Sequence, residues 1–176
     1  MSGDVRLSLR AEAMRREFDE GFARAATRDE TPVEDLLAIR VAGDPYALRL
    51  AECAGLFSAR KVTPLPTTIP ELLGLAGFRA ALVPVYDLRA LLGYPRGEGP
   101  RWMVSTAGSA VVALGFDAFE AHLKVDPASL VAADAPSSRH APRLARLAGG
   151  ACPLLSVPSL LDAIEARARP DRSKER

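Results

Sequence analysis

An all-β protein is what this sequence predicts, and three observations carry that prediction. Short apolar runs with period-two alternation recur across residues 35–157, separated by turn residues. Prolines punctuate the chain, most densely in TPLPTTIP (Thr63–Pro70), where they fix φ and exclude a helix. Helical periodicity is confined to the two ends. Many short strands with few long helices favour β-barrels or a sandwich over an α/β layer fold.

The elements follow in order. Leu7, Ala11, Met14, Phe18, Phe22 and Ala25 make one stripe of an amphipathic helix, with charged residues on the other faces. Such a helix either packs on the main domain or docks a partner. Residues 26–34 are polar and contain Pro32, so they read as a linker. Leu37, Ile39 and Val41 then alternate with smaller or charged residues. A turn is expected at Gly43-Asp44-Pro45, and alternation resumes over Tyr46–Leu50, which together give a hairpin. Further strands are expected at 80–86, 101–107, 109–116 and 121–125, with a turn at Gly108-Ser109. Residues 133–142 form a polar loop. A last apolar strand, 151–157, leads into a terminal helix, 158–169, opened by Pro158. The expected organisation is a helix and linker over 1–34, a β domain over 35–168 and a charged tail over 169–176.

Composition removes several functions. A net charge of +1 lacks the basic excess of a nucleic-acid binder, and an aromatic content of 6% is too low for base-stacking platforms. No apolar run is long enough to span a membrane, and the charged N-terminus does not suit a signal peptide, so a cytoplasmic location is expected. Cys53 and Cys152 lack a CxxC spacing and read as small buried residues rather than a disulfide.

Catalytic parts are scarce. His122 and His140 have no partner at metal-ligand spacing; the first is expected on a strand surface and the second in a polar loop. There is no G-x-S-x-G, and GYPRGEG (Gly93–Gly99) lacks phosphate-loop spacing and reads as a surface turn. Asp87 and Asp117 each follow an apolar strand, where an N-cap would explain them. No metal, cofactor or enzymatic activity is expected. Arg79 stands out inside an apolar run. It is either an edge residue whose guanidinium reaches water or an anchor for a partner.

Several stretches resemble the CheW-like domain, the adaptor that links bacterial chemoreceptors to the CheA histidine kinase. They are Tyr46-Ala-Leu, VTPLP (Val62–Pro66), GLAGFRAALVPVYDLR (Gly74–Arg89), LGFD (Leu114–Asp117) and PLLSVPSLL (Pro153–Leu161). The resemblance runs from about Asp35 to Glu165, and its most specific part is Pro84 with Asp87-Leu88-Arg89. It implies two five-stranded SH3-like β-barrels with short helices. It also implies a non-enzymatic adaptor with two partners, a receptor cytoplasmic tip and the regulatory domain of a CheA-type kinase. By the same correspondence Arg79, Cys53 and Gly74 lie at the partner-binding surface. The chain departs from the family pattern at Gly77, at Ala80, at Ala113 and at Gly55, where the family often carries glutamate. Those departures leave a second expectation open, a CheW-like regulator of another motility or signalling complex.

Overall fold

The computed structural model describes residues 32–58, 60–78, 80–108, 111–134 and 139–168. The expected N-terminal helix, most of its linker and the charged tail lie outside these residues, as does Arg79. The described chain is mostly strand, as expected, and forms two sheets.

Strands β1 (Glu34–Val41) and β2 (Asp44–Arg49) make the first hairpin, with Val41 opposite Asp44. Its turn is Ala42-Gly43, whose φ values of 56° and 91° are the left-handed pair that a tight two-residue hairpin requires. The turn therefore sits one residue earlier than the sequence suggests. Pro45 belongs to β2 opposite Arg40, which is tolerated because parallel pairing to the neighbouring strand begins only at Ala47.

The remaining strands are β3 (Cys53–Ser58), β4 (Leu72–Phe78), β5 (Ala81–Asp87), β6 (Trp102–Thr106), β7 (Ala113–Phe116), β8 (Ala118–Val125), β9 (Leu130–Ala132), β10 (Arg143–Leu147) and β11 (Gly150–Leu155). One sheet has the order β8-β1-β2-β11-β10-β9 and the other β3-β6-β7-β5-β4. All ladders are antiparallel except β2–β11 and β5–β7. The sheets thus hold six and five strands, where two sets of five were expected. Among the described residues no ladder joins β8 to β9 or β3 to β4. Between β3 and β4 the chain instead uses Thr63, which exchanges two backbone hydrogen bonds with Leu75, at 2.8 and 2.9 Å.

That exchange explains the proline in β5. Leu75 directs its N–H and C=O to Thr63, so Pro84, opposite Leu75, faces no unmet acceptor on β4. On its other side the ladder to β7 starts only at Val85. Pro84 stands where the sheet can spare a donor.

Strand faces divide between three apolar clusters. Leu36, Ala47, Val125, Leu130, Ala145, Cys152 and Leu154 pack within the six-stranded sheet. Ala76, Phe78, Val83, Val85, Met103 and Ala113 pack within the five-stranded one. A larger cluster takes Leu37, Ile39, Val41 and Leu48 from the first sheet and Tyr86, Val104, Leu114 and Phe116 from the second. Strands such as β7 are buried on both faces, which is why they read as apolar runs without clean alternation.

Two helices complete the shared cluster. The short α1 (Leu88–Leu91) is capped by Asp87, whose Oδ1 accepts the Arg89 N–H at 2.9 Å, as the sequence suggests. The terminal α2 (Val157–Ala168) begins one residue earlier than expected and buries Val157, Leu160 and Ile164 along one stripe. Its first N–H is accepted by Glu52 Oε2 at 2.9 Å, and Ser156 Oγ accepts the Ser159 N–H at 3.3 Å.

Candidate docking surface

The Asp87-Leu88-Arg89 stretch ties α1 to the junction between the two sheets. Arg89 leaves α1 and meets Asp117 in a two-pronged pair, Nε to Oδ1 at 2.8 Å and Nη2 to Oδ2 at 2.9 Å. Asp117 lies between β7 of one sheet and β8 of the other. Its carboxylate also accepts the Ala42 N–H at 2.5 Å, and its own N–H donates to Arg40 O at 3.1 Å. The capping role expected for Asp117 is therefore replaced. No helix follows it; β8 starts at once, and the carboxylate ties a hairpin turn to α1. Gly97 makes room for the arginine, since a Cβ there would lie 2.2 Å from Nη1.

Gly74 is buried in β4 with φ of 139°, and a Cβ would lie 2.1 Å from Thr63 O. Its absence of a side chain is what allows the Thr63–Leu75 exchange. The position expected at the partner surface thus has a structural duty of its own.

Cys53 opens β3 half-buried, and its thiol donates to Arg49 O at 3.2 Å. Burial, assisted by the Glu52 charge, pushes the thiol up to about 12, so it is no nucleophile at neutral pH. Cys152 is buried and pushed up to about 11, again mainly by burial. Both thiols are free. Cys53 and Gly74 stand on the two outer strands of the five-stranded sheet. Arg79, the third of these positions, lies outside the described residues.

Sequence reasoning missed a neighbouring feature. The Phe57 and Phe78 rings meet edge to face at 5.0 Å, and the Arg60 guanidinium lies over both, 5.1 and 5.5 Å from their centroids. A Cβ at Gly55 would lie 2.9 Å from the Phe57 ring, so that ring occupies the space a side chain there would need. No spacing in the sequence joins Phe57, Arg60 and Phe78; the fold brings them together.

The histidines divide. His122 is exposed on β8, with Nε2 2.7 Å from Asp35 Oδ1, as expected of a strand surface. His140 sits in a loop, as expected, and is buried there, only 2% exposed. Its Nε2 accepts from Arg139 Nε at 3.0 Å, which leaves Nδ1–H to donate to Ser159 Oγ at 2.8 Å. Burial, then the Arg139 and Arg167 charges, hold its pKa below the ordinary histidine range. Among the described residues no group of three or more His, Cys, Asp or Glu side chains could hold a metal.

A family model for the CheW-like domain matches residues 35–165. The chain belongs to the CheW-like domain family. Among solved structures, the scaffolding protein TtCheW from Thermoanaerobacter tengcongensis has a similar fold, with a TM-score of 0.65 at 16% identity. The match covers 72% of this chain and 91% of that one. No curated protein matches the chain. The CheW-like fold accounts for the two sheets. No helix among the described residues is long and apolar enough to cross a membrane.

Proposed function

We propose that this CheW-like chain is a cytoplasmic, non-enzymatic adaptor that couples chemoreceptors to a CheA-type histidine kinase. The observation that carries the reading is the family match across residues 35–165. The use made of the polar residues supports it. Asp87 caps a helix, and Arg89 and Asp117 bind each other. These groups stabilise the scaffold and leave its surface to partners. By the family correspondence, Arg79, Cys53 and Gly74 are the positions proposed for partner contact.

Gly55 favours a second reading, a regulator of another motility or signalling complex without array assembly. The Phe57 ring fills the space where the family often carries a glutamate, which alters the surface offered to a receptor.

The test is a pull-down with two separate baits, the kinase regulatory domain and the receptor cytoplasmic tip. Retention of both is expected for the adaptor. Retention of the kinase domain alone selects the second reading, and recovery of neither overturns both.

A further inference from the structure

Charge is unevenly distributed between the two sheets. In the six-stranded sheet Arg40 pairs with Glu120, Arg49 with Glu34 and Lys124 with Asp35, while Arg143 and Arg146 of β10 meet no carboxylate among the described residues. The stretch from Cys53 to Phe116, which builds the five-stranded sheet, contains only three carboxylates, Glu71, Asp87 and Glu98. The first is buried against Arg167 and the second is buried while capping α1. Glu98 lies beyond α1, in the loop before β6. Around β3, β4 and β5 up to Tyr86, Glu71 is therefore the sole acidic residue.

Arg60 and Lys61 are exposed on the segment that follows β3, and neither meets a carboxylate among the described residues. Arg60 is already held over Phe57 and Phe78, so it loses little freedom when it pairs with an anion. Next to Phe78 the hairpin turns outward an apolar surface. Ala80 and Ala81 are exposed, and Leu82 is 74% exposed. Opposite Leu82 stands Gly77, with open space where a side chain would be.

We propose that this end of the five-stranded sheet docks an acidic, amphipathic segment of a partner protein. Its carboxylates pair with Arg60 and Lys61, and its apolar side chains cover Leu82 and the bare surface at Gly77. The proposal rests on the adaptor reading, to which it adds the sign of the partner's charge. A nucleic acid fits less well. Phe78 is too buried, at 5% exposed, to stack a base.

The experiment uses the full chain and a dye-labelled helical peptide of about 20 residues, with a leucine stripe and glutamates on its other faces. A second peptide keeps the stripe and replaces glutamate with lysine. Fluorescence anisotropy should show binding of the glutamate peptide only, weakening about tenfold between roughly 50 and 300 mM salt. Paired Arg60→Glu and Lys61→Glu substitutions should weaken it by about tenfold or more in a chain that still unfolds cooperatively, and Lys61→Glu alone should weaken it with an unchanged unfolding midpoint. Leu82→Asp, on an exposed position, should weaken it independently. Equal binding of the lysine peptide, or indifference to the charge reversals, overturns the proposal. So does Arg60-dependent uptake on phosphatidylglycerol vesicles without peptide binding. Peptide binding with both pull-down baits lost would remove the adaptor reading and leave the surface standing; the converse would remove the surface alone.

Discussion

Arg89 and Asp117, 28 residues apart in sequence, form a two-pronged ion pair that fastens α1 to the junction between the two sheets. About a quarter of the arginine side chain and a fifth of the aspartate remain exposed, so water screens part of the attraction. Asp117→Asn keeps an acceptor for the Ala42 N–H but leaves Arg89 without its anion. It should cost about 1–2 kcal/mol in urea unfolding, between the values for surface and buried pairs. Arg89→Lys should cost nearly as much, because an ammonium cannot make the two parallel bonds. Full stability in either variant would reduce the pair to a surface ornament.

Gly74 and Gly77 lie in one strand and should respond oppositely to alanine. At Gly74 the added methyl meets the Thr63 carbonyl in a left-handed conformation, so Gly74→Ala should lose about 2 kcal/mol or more, or fail to fold. Gly77 has open space, so Gly77→Ala should stay within about 0.5 kcal/mol of the parent in thermal unfolding. Equal losses would contradict the close approach seen at Gly74.

Thiol labelling tests the burial of Cys53. With its thiol pushed up to about 12, the thiolate is scarce at mildly alkaline pH. Reaction with a disulfide reagent should run on the order of a thousandfold slower than for a free cysteine, until denaturant is added. Fast labelling of the native chain would place Cys53 in a different environment.

His140 gives the fold a pH dependence of known sign. Burial and the neighbouring Arg139 and Arg167 favour its neutral ring, so the unfolded chain takes up a proton first as pH falls. Stability should be full above the ordinary histidine range and should decline as pH drops through and below it. The decline ends only where the folded ring protonates as well. Unfolding midpoints measured from about pH 8 to 5 should show this slope, and His140→Gln should flatten it whatever its absolute stability.

Much of this architecture was legible before any coordinates. The Leu37–Val41 alternation, the Asp87 cap and the terminal helix all rest on local chemistry, and local chemistry is what a sequence displays. The strands that escaped have physical reasons. β4 carries Gly74 and Gly77 and a register shift between Leu72 and Gly74, which breaks the alternation. β9 is three residues long, and β10 has Ala145 as its only buried side chain. The turn at Ala42 was misplaced because Gly-Asp-Pro outscores Ala-Gly as a turn signal unless the pairing register is known. The site was less legible than the fold. Asp117, His140 and Arg60 take their roles from partners 28, 19 and 18 residues away, and no periodicity encodes such meetings.

The most direct test is calorimetric titration of the full chain with a purified CheA-type regulatory domain, in parent and Arg79→Ala forms. The account predicts saturable binding by the parent, weaker binding by the variant and the same unfolding midpoint for both. Absence of binding by a folded parent chain, to this domain and to the receptor tip alike, would contradict it.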